Sequence, residues 1–439
     1  MLVRFFGSNF RSLKGKFELS MVAADLKRKE DRDRGVIEVT LDGLQDPLRL
    51  LRCVAIYGAN ASGKSTIIAA AESLRWLVVE SSPRSCADAV LPSYQPFLLD
   101  SDSRSSELEL GCDVVCNDSL LRYCITFNAI AIQREALTLL GTDGETKLID
   151  RGPLDEISGE LIERSEANRL YVKQMQSNVA VLSKLAQHGP QKGQESVQEY
   201  FNAIRNALKC KNYTHVMNRS SGGGRFISGT DEGRFVDDPD YREWILHHLM
   251  RPADVGICDV KEQRERMKLS NEVKVVLEKT GAGVKIPEMV TVSFVHEGSM
   301  QQPISFVLES VGTKKLFFIG PDWWSLAKEQ VTLFADELSA GLHPRLLDRL
   351  IRAVNDAPAS QRSQLIFTTH DTGLLESLDG QPPALRRDQV YLTKKDAQGA
   401  TELYSLAEFK EEARPVHNIR KRYMSGLYGA IPSVEKLSL

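Results

Sequence analysis

Gly58-Ala-Asn-Ala-Ser-Gly-Lys64-Ser65 is a complete G-x-x-x-x-G-K-S loop. Before it, Leu50-Leu-Arg-Cys-Val-Ala-Ile-Tyr57 is an apolar run that predicts a buried strand, and after it Lys64 to Val79 reads as an Ala- and Leu-rich helix. The order strand, glycine loop, helix lets successive backbone N–H groups converge on phosphates, because glycine permits the turn and the helix start carries partial positive charge. Lys64 is then placed to reach the β and γ phosphates, and Ser65 the accompanying Mg2+. The candidate contacts are Gly58, Asn60, Ala61, Ser62, Gly63, Lys64, Ser65 and Thr66, with ATP and Mg2+ as the expected ligands.

Two later apolar runs supply what a phosphate loop lacks for hydrolysis. Val331-Thr-Leu-Phe-Ala-Asp336-Glu337 is a strand ending in two acids. Downstream of a phosphate loop, the first acid of such a pair helps hold Mg2+ and the second polarises the attacking water, which makes Asp336 the metal-side acid and Glu337 the candidate base. Many strands end in solvated carboxylates, so the pair draws its meaning from the loop before it. Gln364-Leu-Ile-Phe-Thr-Thr-His370-Asp371 is a second buried strand, delivering a histidine at its carboxyl end, where ligands gather in open parallel sheets. A neutral imidazole there can hydrogen-bond a γ-phosphate. Between the two, Pro344 to Val354 carries the Leu346, Leu347, Leu350, Ile351 stripe of a packed helix.

The 439 residues carry 56 Lys plus Arg against 59 Asp plus Glu, a net charge of -3, so any contact with nucleic acid must come from a local patch. No run approaches the roughly 18 apolar residues of a membrane span. The start, Met1-Leu-Val-Arg-Phe-Phe-Gly-Ser-Asn-Phe, lacks the signal-peptide pattern, so a cytoplasmic protein without a membrane partner is expected. Seven scattered cysteines without a C-x-x-C pair predict reduced thiols. Cys112 and Cys116 lie in a β-like segment with no nearby His or Cys to complete a zinc site, and read as buried apolar residues.

Along the chain, Leu2 to Leu13 predicts a strand and turn, and Lys27-Arg-Lys-Glu-Asp-Arg-Asp-Arg34 a solvated charged loop. Alternation over Glu107 to Val115, Leu120 to Asn128 and Arg134 to Leu140 predicts an antiparallel β layer. From about Leu154 to Arg266 the pattern turns helical, with apolar residues three and four apart in Leu161 to Gln187, Gln194 to Leu208 and Tyr241 to Met250. Ser220-Ser-Gly-Gly-Gly-Arg225 lacks the ending of a phosphate loop and reads as a turn. His247 and His248 are adjacent, point about 100° apart on a helix, and read as packing or surface residues. Strands return at Met289 to His296 and Ile304 to Leu308. The expected division is residues 1–153, the phosphate loop and β layer; 154–285, a helical insertion for partner or oligomer contacts; and 286–439, the acid and histidine strands.

Taken in order, the phosphate loop, a glutamine segment, Glu309-Ser310-Val-Gly312-Thr-Lys-Lys315, the strand ending Asp336-Glu337, Ser339-Ala-Gly-Leu-His-Pro344 and the strand ending at His370 resemble ABC-type ATPases of the SMC, RecF and SbcC kind. Asn60 and Asn9-Phe-Arg-Ser12 look like the same branch. The resemblance implies an α/β P-loop NTPase, an ABC-type ATPase head with an antiparallel β subdomain and a helical insertion. It also implies that the signature Ser310, Gly312 and Thr313 complete the ATP site of another copy, giving a head-to-tail dimer or higher oligomer. Gln95 is the implied counterpart of the loop glutamine that contacts Mg2+ and the lytic water. More narrowly, Tyr94-Gln-Pro-Phe-Leu-Leu-Asp100, Arg387-Asp-Gln-Val-Tyr391 and Gly426-Leu-Tyr-Gly-Ala-Ile-Pro432 resemble compact SbcC-like ATPases of bacterial and phage-linked defence operons. Such proteins commonly stand beside a separate effector, often a TOPRIM or RloB-like nuclease. The signature departs from the transporter Leu-Ser-Gly-Gly-Gln, and no sustained heptad repeat separates the phosphate loop from Ser310, which excludes long coiled-coil arms.

Three functions stay open at this point. One is an ATP-hydrolysing switch that closes over Mg·ATP and signals to an effector in antiviral defence; a second is a scaffold that uses bound ATP mainly to hold that effector. The third is a DNA-repair ATPase of RecF or SbcC type, for which DNA contact would rest on Arg414, Arg420, Lys421 and Arg422. The tail beyond His370 shows no acid set for a two-metal nuclease.

Overall fold

Cys53–Gly58, Thr332–Asp336 and Gln364–Thr368 have apolar centres, and every residue in them is buried. Strands of that kind belong inside a parallel sheet covered on both faces. In the computed structural model of the chain they form the centre of a six-stranded sheet. The described residues are 1–26, 33–43, 45–84, 86, 89–142, 144–153, 156–188, 195–213, 225–227, 234–253, 255–266, 288–298, 302–409 and 418–432.

In chain order, β1 (Leu2–Ser8), β2 (Phe17–Ser20), β3 (Val36–Val39) and β4 (Leu48–Leu51) precede β5 (Cys53–Gly58), which leads into helix α1 (Lys64–Val79). Next come β6 (Leu108–Cys116), β7 (Ser119–Phe127), β8 (Ile132–Gly141), β9 (Gly144–Arg151) and β10 (Ile157–Ser158), then helix α2 (Glu195–Ala207) and β11 (Lys209–Asn212). Strands β12 (Arg225–Ile227), β13 (Ile257–Arg266), β14 (Glu288–His296) and β15 (Pro303–Ser305) lead to helix α3 (Val311–Lys328). The chain continues through β16 (Thr332–Asp336), helix α4 (Pro344–Asn355), β17 (Gln364–Thr368), β18 (Val390–Lys395) and β19 (Thr401–Ser405).

Contacts divide the chain into two compact units: Met1–Lys211, Glu329–Ser339 and Leu347–Leu439 form the first, Asn212–Lys328 and Ala340–Leu346 the second. The first holds the central sheet, ordered β11-β16-β17-β5-β18-β19. Its β16, β17, β5 and β18 run parallel, so Gly58, Asp336 and Thr368 emerge at one edge. The seven-stranded antiparallel sheet β10-β9-β8-β7-β6-β1-β2 lies in the same unit. Gln364 binds the elements together: fully buried, it accepts from Leu2 N at 2.8 Å and donates to the carbonyls of Leu2 and Leu51 at 3.0 and 3.1 Å. Helix α1 presents Ile67, Ala70, Ala71, Leu74, Leu77 and Val78 to this core, and α2 adds Val197, Phe201 and Ile204 at helical spacing.

In the second unit, β14 pairs with β12, β13 and β15, all antiparallel. Phe294 on β14, Phe306 after β15 and Phe317 on α3 pack ring to ring, with centroids 5.2 to 5.9 Å apart.

Several expectations are corrected. The run Leu50–Tyr57 is two strands, because Arg52 breaks it and gives its guanidinium to the carbonyls of Gln361 and Pro358 at 2.6 and 3.0 Å. The stretch read as a helical insertion contains β11, β12 and β13, and the helices Glu160–Glu163, Glu166–Lys173, Val181–Gln187 and α2 belong to the first unit. Apolar spacing marks an amphipathic face without saying what covers it. The expected boundaries run through residues 154 and 285, which lie outside the described residues, as do 27–32 of the charged loop and 220–224 of the glycine-rich turn. Ile304–Leu308 is a strand only to Ser305 and then one turn of 3-10 helix, Phe306–Leu308. His247 and His248 sit in a π-helical turn, Leu246–Met250, where the His248 ring stacks on Trp244 with centroids 4.8 Å apart. The cysteine expectation needs no correction: Cys112 and Cys116 are buried in β6, and all seven cysteines are free thiols.

Candidate functional site

The phosphate loop joins β5 to α1 in the expected way, and two of its glycines are obligatory. Gly63 has φ +106, and a Cβ there would lie 2.2 Å from Thr401 Oγ1. A Cβ on Gly58 would lie 2.3 Å from Thr393 Oγ1. The two threonines brace the loop: Thr393 Oγ1 is 2.7 Å from Ser62 Oγ, and Thr401 Oγ1 donates to Ser62 O at 2.8 Å. Ala61 also takes a left-handed backbone, φ 60. Asn60 and Ser65 are exposed, whereas Ser62 and Lys64 are buried. Helix α1 thus begins at Lys64, with the positive end of its dipole facing the loop.

Lys64 Nζ donates to the carbonyls of Gly58 and Ala59 at 2.9 and 2.8 Å. Burial lowers its pKa, and the carboxylates of Glu337 and Asp336 act in the opposite direction. Asp336, at the end of β16, accepts on Oδ1 from Ser65 Oγ at 3.0 Å and from Thr368 Oγ1 at 2.7 Å. The Thr368 hydroxyl in turn accepts from Glu337 N at 2.7 Å. Glu337 is half-buried and has φ 53, a left-handed conformation that a non-glycine residue adopts only when its surroundings over-determine it. His370 follows β17; its pKa is lowered, first by burial and then by the Lys64 charge, while Glu337 opposes the shift. The fold therefore brings Lys64, Ser65, Asp336, Glu337 and His370 into one electrostatic cluster.

Gln95 stands in a different network. Its Oε1 accepts from Arg11 Nε at 2.5 Å and its Nε2 donates to Pro92 O at 3.0 Å. Arg11 belongs to Asn9-Phe-Arg-Ser12, whose Ser12 Oγ lies 3.1 Å from Thr66 Oγ1 at the start of α1. Asn9 Oδ1 accepts from Phe97 N at 3.2 Å, so this N-terminal turn anchors the glutamine loop beside the phosphate loop.

Ser310, Gly312 and Thr313, expected as the signature, belong to the second unit. Ser310 Oγ accepts from Thr313 N at 3.1 Å and is 2.8 Å from Thr313 Oγ1, an N-cap on α3. Thr313 is buried, Ser310 exposed and Gly312 between the two. A Cβ on Gly312 would lie 3.0 Å from Gly341 O, and Lys315 Nζ donates to Ala340 O at 2.6 Å. Helix α3 therefore starts against Ala340 and Gly341.

Sequence reading missed Thr368, Thr393 and Thr401 as supports. Thr368 lay inside the quoted His370 strand, yet a threonine near a strand end carries no signal of its own. Thr393 and Thr401 lie far from the loop in sequence, and no spacing rule reaches them. Of the basic residues noted near the C-terminus, Arg420 is paired with Glu376, and Arg414 lies outside the described residues.

A phosphate loop on the central strand of a parallel sheet, with the acid pair two strands away and the histidine strand between them, defines the fold class. This is an α/β P-loop fold. Residues 225–376, about a third of the chain, match a family described as "AAA domain, putative AbiEii toxin, Type IV TA system". That match includes Asp336, Glu337 and His370 and leaves out the phosphate loop. Curated proteins yield no match. Among solved structures, an Smc head bound to the C-winged helix domain of ScpA is similar at 11% identity and TM-score 0.44, covering 93% of this chain and 99% of that one. The SMC head domain from Thermotoga maritima is similar at 14% identity and TM-score 0.37, covering 92% and 98%. A Pyrococcus furiosus Smc head with an extended coiled coil, bound to the C-terminal domain of ScpA, is similar at 12% identity and TM-score 0.41, covering 93% and 97%. Among the described residues no helix is long and apolar enough to cross a membrane.

Proposed function

We propose that the chain is an Mg2+-dependent ATPase that closes head-to-tail on a second copy and controls a separate effector in antiviral defence. The observation that carries the enzymatic part is the Asp336 carboxylate, held at once by Ser65 of the phosphate loop and by Thr368, with Glu337 hinged on the same hydroxyl. A carboxylate and a hydroxyl paired in this way are the hard oxygen donors that Mg2+ takes alongside phosphate, so the residues fit the ion. Ser65 and Asp336 would hold Mg2+, which neutralises charge on the β and γ oxygens. Lys64 and the N-terminus of α1 bind the phosphates. Glu337 accepts a proton from the water that attacks the γ-phosphorus, as the bond to the ADP oxygen breaks. His370, kept neutral by burial and by Lys64, hydrogen-bonds the γ-phosphate. Gln95, on the loop that Arg11 anchors, would contact Mg2+ and the lytic water.

Assembly is supported by the surface around Ser310. Val307, Leu308 and Val311 are exposed apolar side chains flanking it, Leu308 at 78%, as suits a face that a second copy covers. The effector and the defence role rest on the motif resemblance and on the toxin–antitoxin description of the matching family.

Glu337→Gln tests the chemistry: it keeps the shape but cannot take a proton, so it should bind ATP, accumulate closed assemblies and lose hydrolysis in single-turnover assays. Unchanged hydrolysis would refute the base. Mixing Lys64→Ala with Gly312→Asp subunits tests the sharing. One composite site then regains an intact phosphate loop and an intact signature, and partial activity should return. Mixed oligomers without activity would leave a self-contained site as the better account.

A further inference from the structure

The signature segment hangs from β15 by a short tether. Between Ser305 and α3 lie one 3-10 turn, Phe306–Leu308, and the two residues Glu309 and Ser310. Phe306 pins one end in the ring cluster with Phe294 and Phe317. The other end is pinned by a charge: the Glu309 side chain is 5% exposed, and its Oε1 lies 2.7 Å from Nε2 of His296, the last residue of β14. A carboxylate that far from water is costly unless a donor meets it, and the imidazole N–H is such a donor. Glu309 directly precedes Ser310, the N-cap of α3, so the hydrogen bond also sets where the cap and the first N–H groups of the helix point.

We propose that His296 is a positioning residue for catalysis, acting through Glu309 to hold Ser310 and Gly312 in the orientation that closes the shared ATP site. This rests on the reading of Ser310 and Gly312 as the signature. It gives a role to two residues that lie outside the phosphate loop, the acid pair and the histidine strand. His296 touches no reacting atom. Its influence is confined to the step after ATP has bound, because the phosphate loop holds the nucleotide with other residues.

The experiment measures kcat and ATP affinity for His296→Ala, His296→Gln and Glu309→Gln in the full chain, with Gly312→Asp as reference. For His296→Ala, kcat should fall about tenfold, the effect of unpairing a buried charged group, while ATP affinity stays within about twofold. His296→Gln, which keeps a side-chain N–H of similar reach, should recover most of the rate. Glu309→Gln keeps the shape without the charge; it should fold, lose kcat and retain ATP affinity, and it carries the test if His296→Ala does not fold. Mixing His296→Ala with Lys64→Ala subunits should restore activity as the Gly312→Asp mixture does. Wild-type kcat in both pair variants beside an inactive Gly312→Asp would overturn this inference and leave the signature standing. Wild-type kcat in Gly312→Asp would overturn the signature reading itself. Equal loss of affinity and kcat in His296→Ala, not rescued by glutamine, would reduce the pair to a structural contact and overturn the proposal.

Discussion

Thr368→Val removes one oxygen and should slow hydrolysis without weakening ATP binding. The buried Thr368 hydroxyl donates to Asp336 Oδ1 at 2.7 Å and accepts from Glu337 N at 2.7 Å, so it links the proposed metal-side acid to the proposed base. A hydrogen bond to a charged group is worth about 1.5–3 kcal/mol, and an unpaired buried N–H costs about 1–3 kcal/mol more. If only the first of these appears as misorientation in the transition state, kcat falls about ten- to hundredfold. The second appears as lower stability, because the Glu337 N–H, on a left-handed backbone of φ 53, loses its Thr368 acceptor. Lys64 and the loop backbone are untouched, which is why affinity should change little. The assay is single-turnover hydrolysis at saturating ATP, with affinity from a fluorescent ATP analogue and a urea midpoint for stability. Thr368→Ser restores the hydroxyl and should restore the rate. A folded Thr368→Val enzyme with wild-type kcat would refute the reasoning.

Gly63→Ala should abolish ATP binding in calorimetry, since its Cβ meets Thr401 Oγ1 at 2.2 Å and its φ is +106; normal affinity would mean that the loop adopts another shape. His370 should titrate below the ordinary histidine range in an NMR pH series, remaining neutral where a free imidazole is half protonated. Activity that depends on the neutral ring should therefore persist through pH 6.5, the ordinary histidine value, and fall only at lower pH. Removing the ammonium with Lys64→Ala should move that titration upward, and no movement would show that the two charges do not sense each other.

Sequence alone determined the parts of this protein whose physics is local. A phosphate loop needs its glycines, lysine and serine within eight consecutive positions, so it can be read directly, and the bounds of α1 follow from helical spacing after it. Strands buried on both faces must be apolar, which made β16 and β17 legible together with the acids and the histidine they deliver. Alternating runs likewise gave the antiparallel layer. Tertiary structure decided whatever depends on a partner distant in the chain. Nothing near Arg52 announces the carbonyls of Pro358 and Gln361 that split one apolar run into two strands. The apolar stripe of α2 gives no sign of which core it covers. Thr393 and Thr401 brace the phosphate loop, and His296 meets Glu309, only because strands distant or separate in sequence end side by side. A hydroxyl or an imidazole is an equally good donor in many places; folding selects the acceptor, and with it the role.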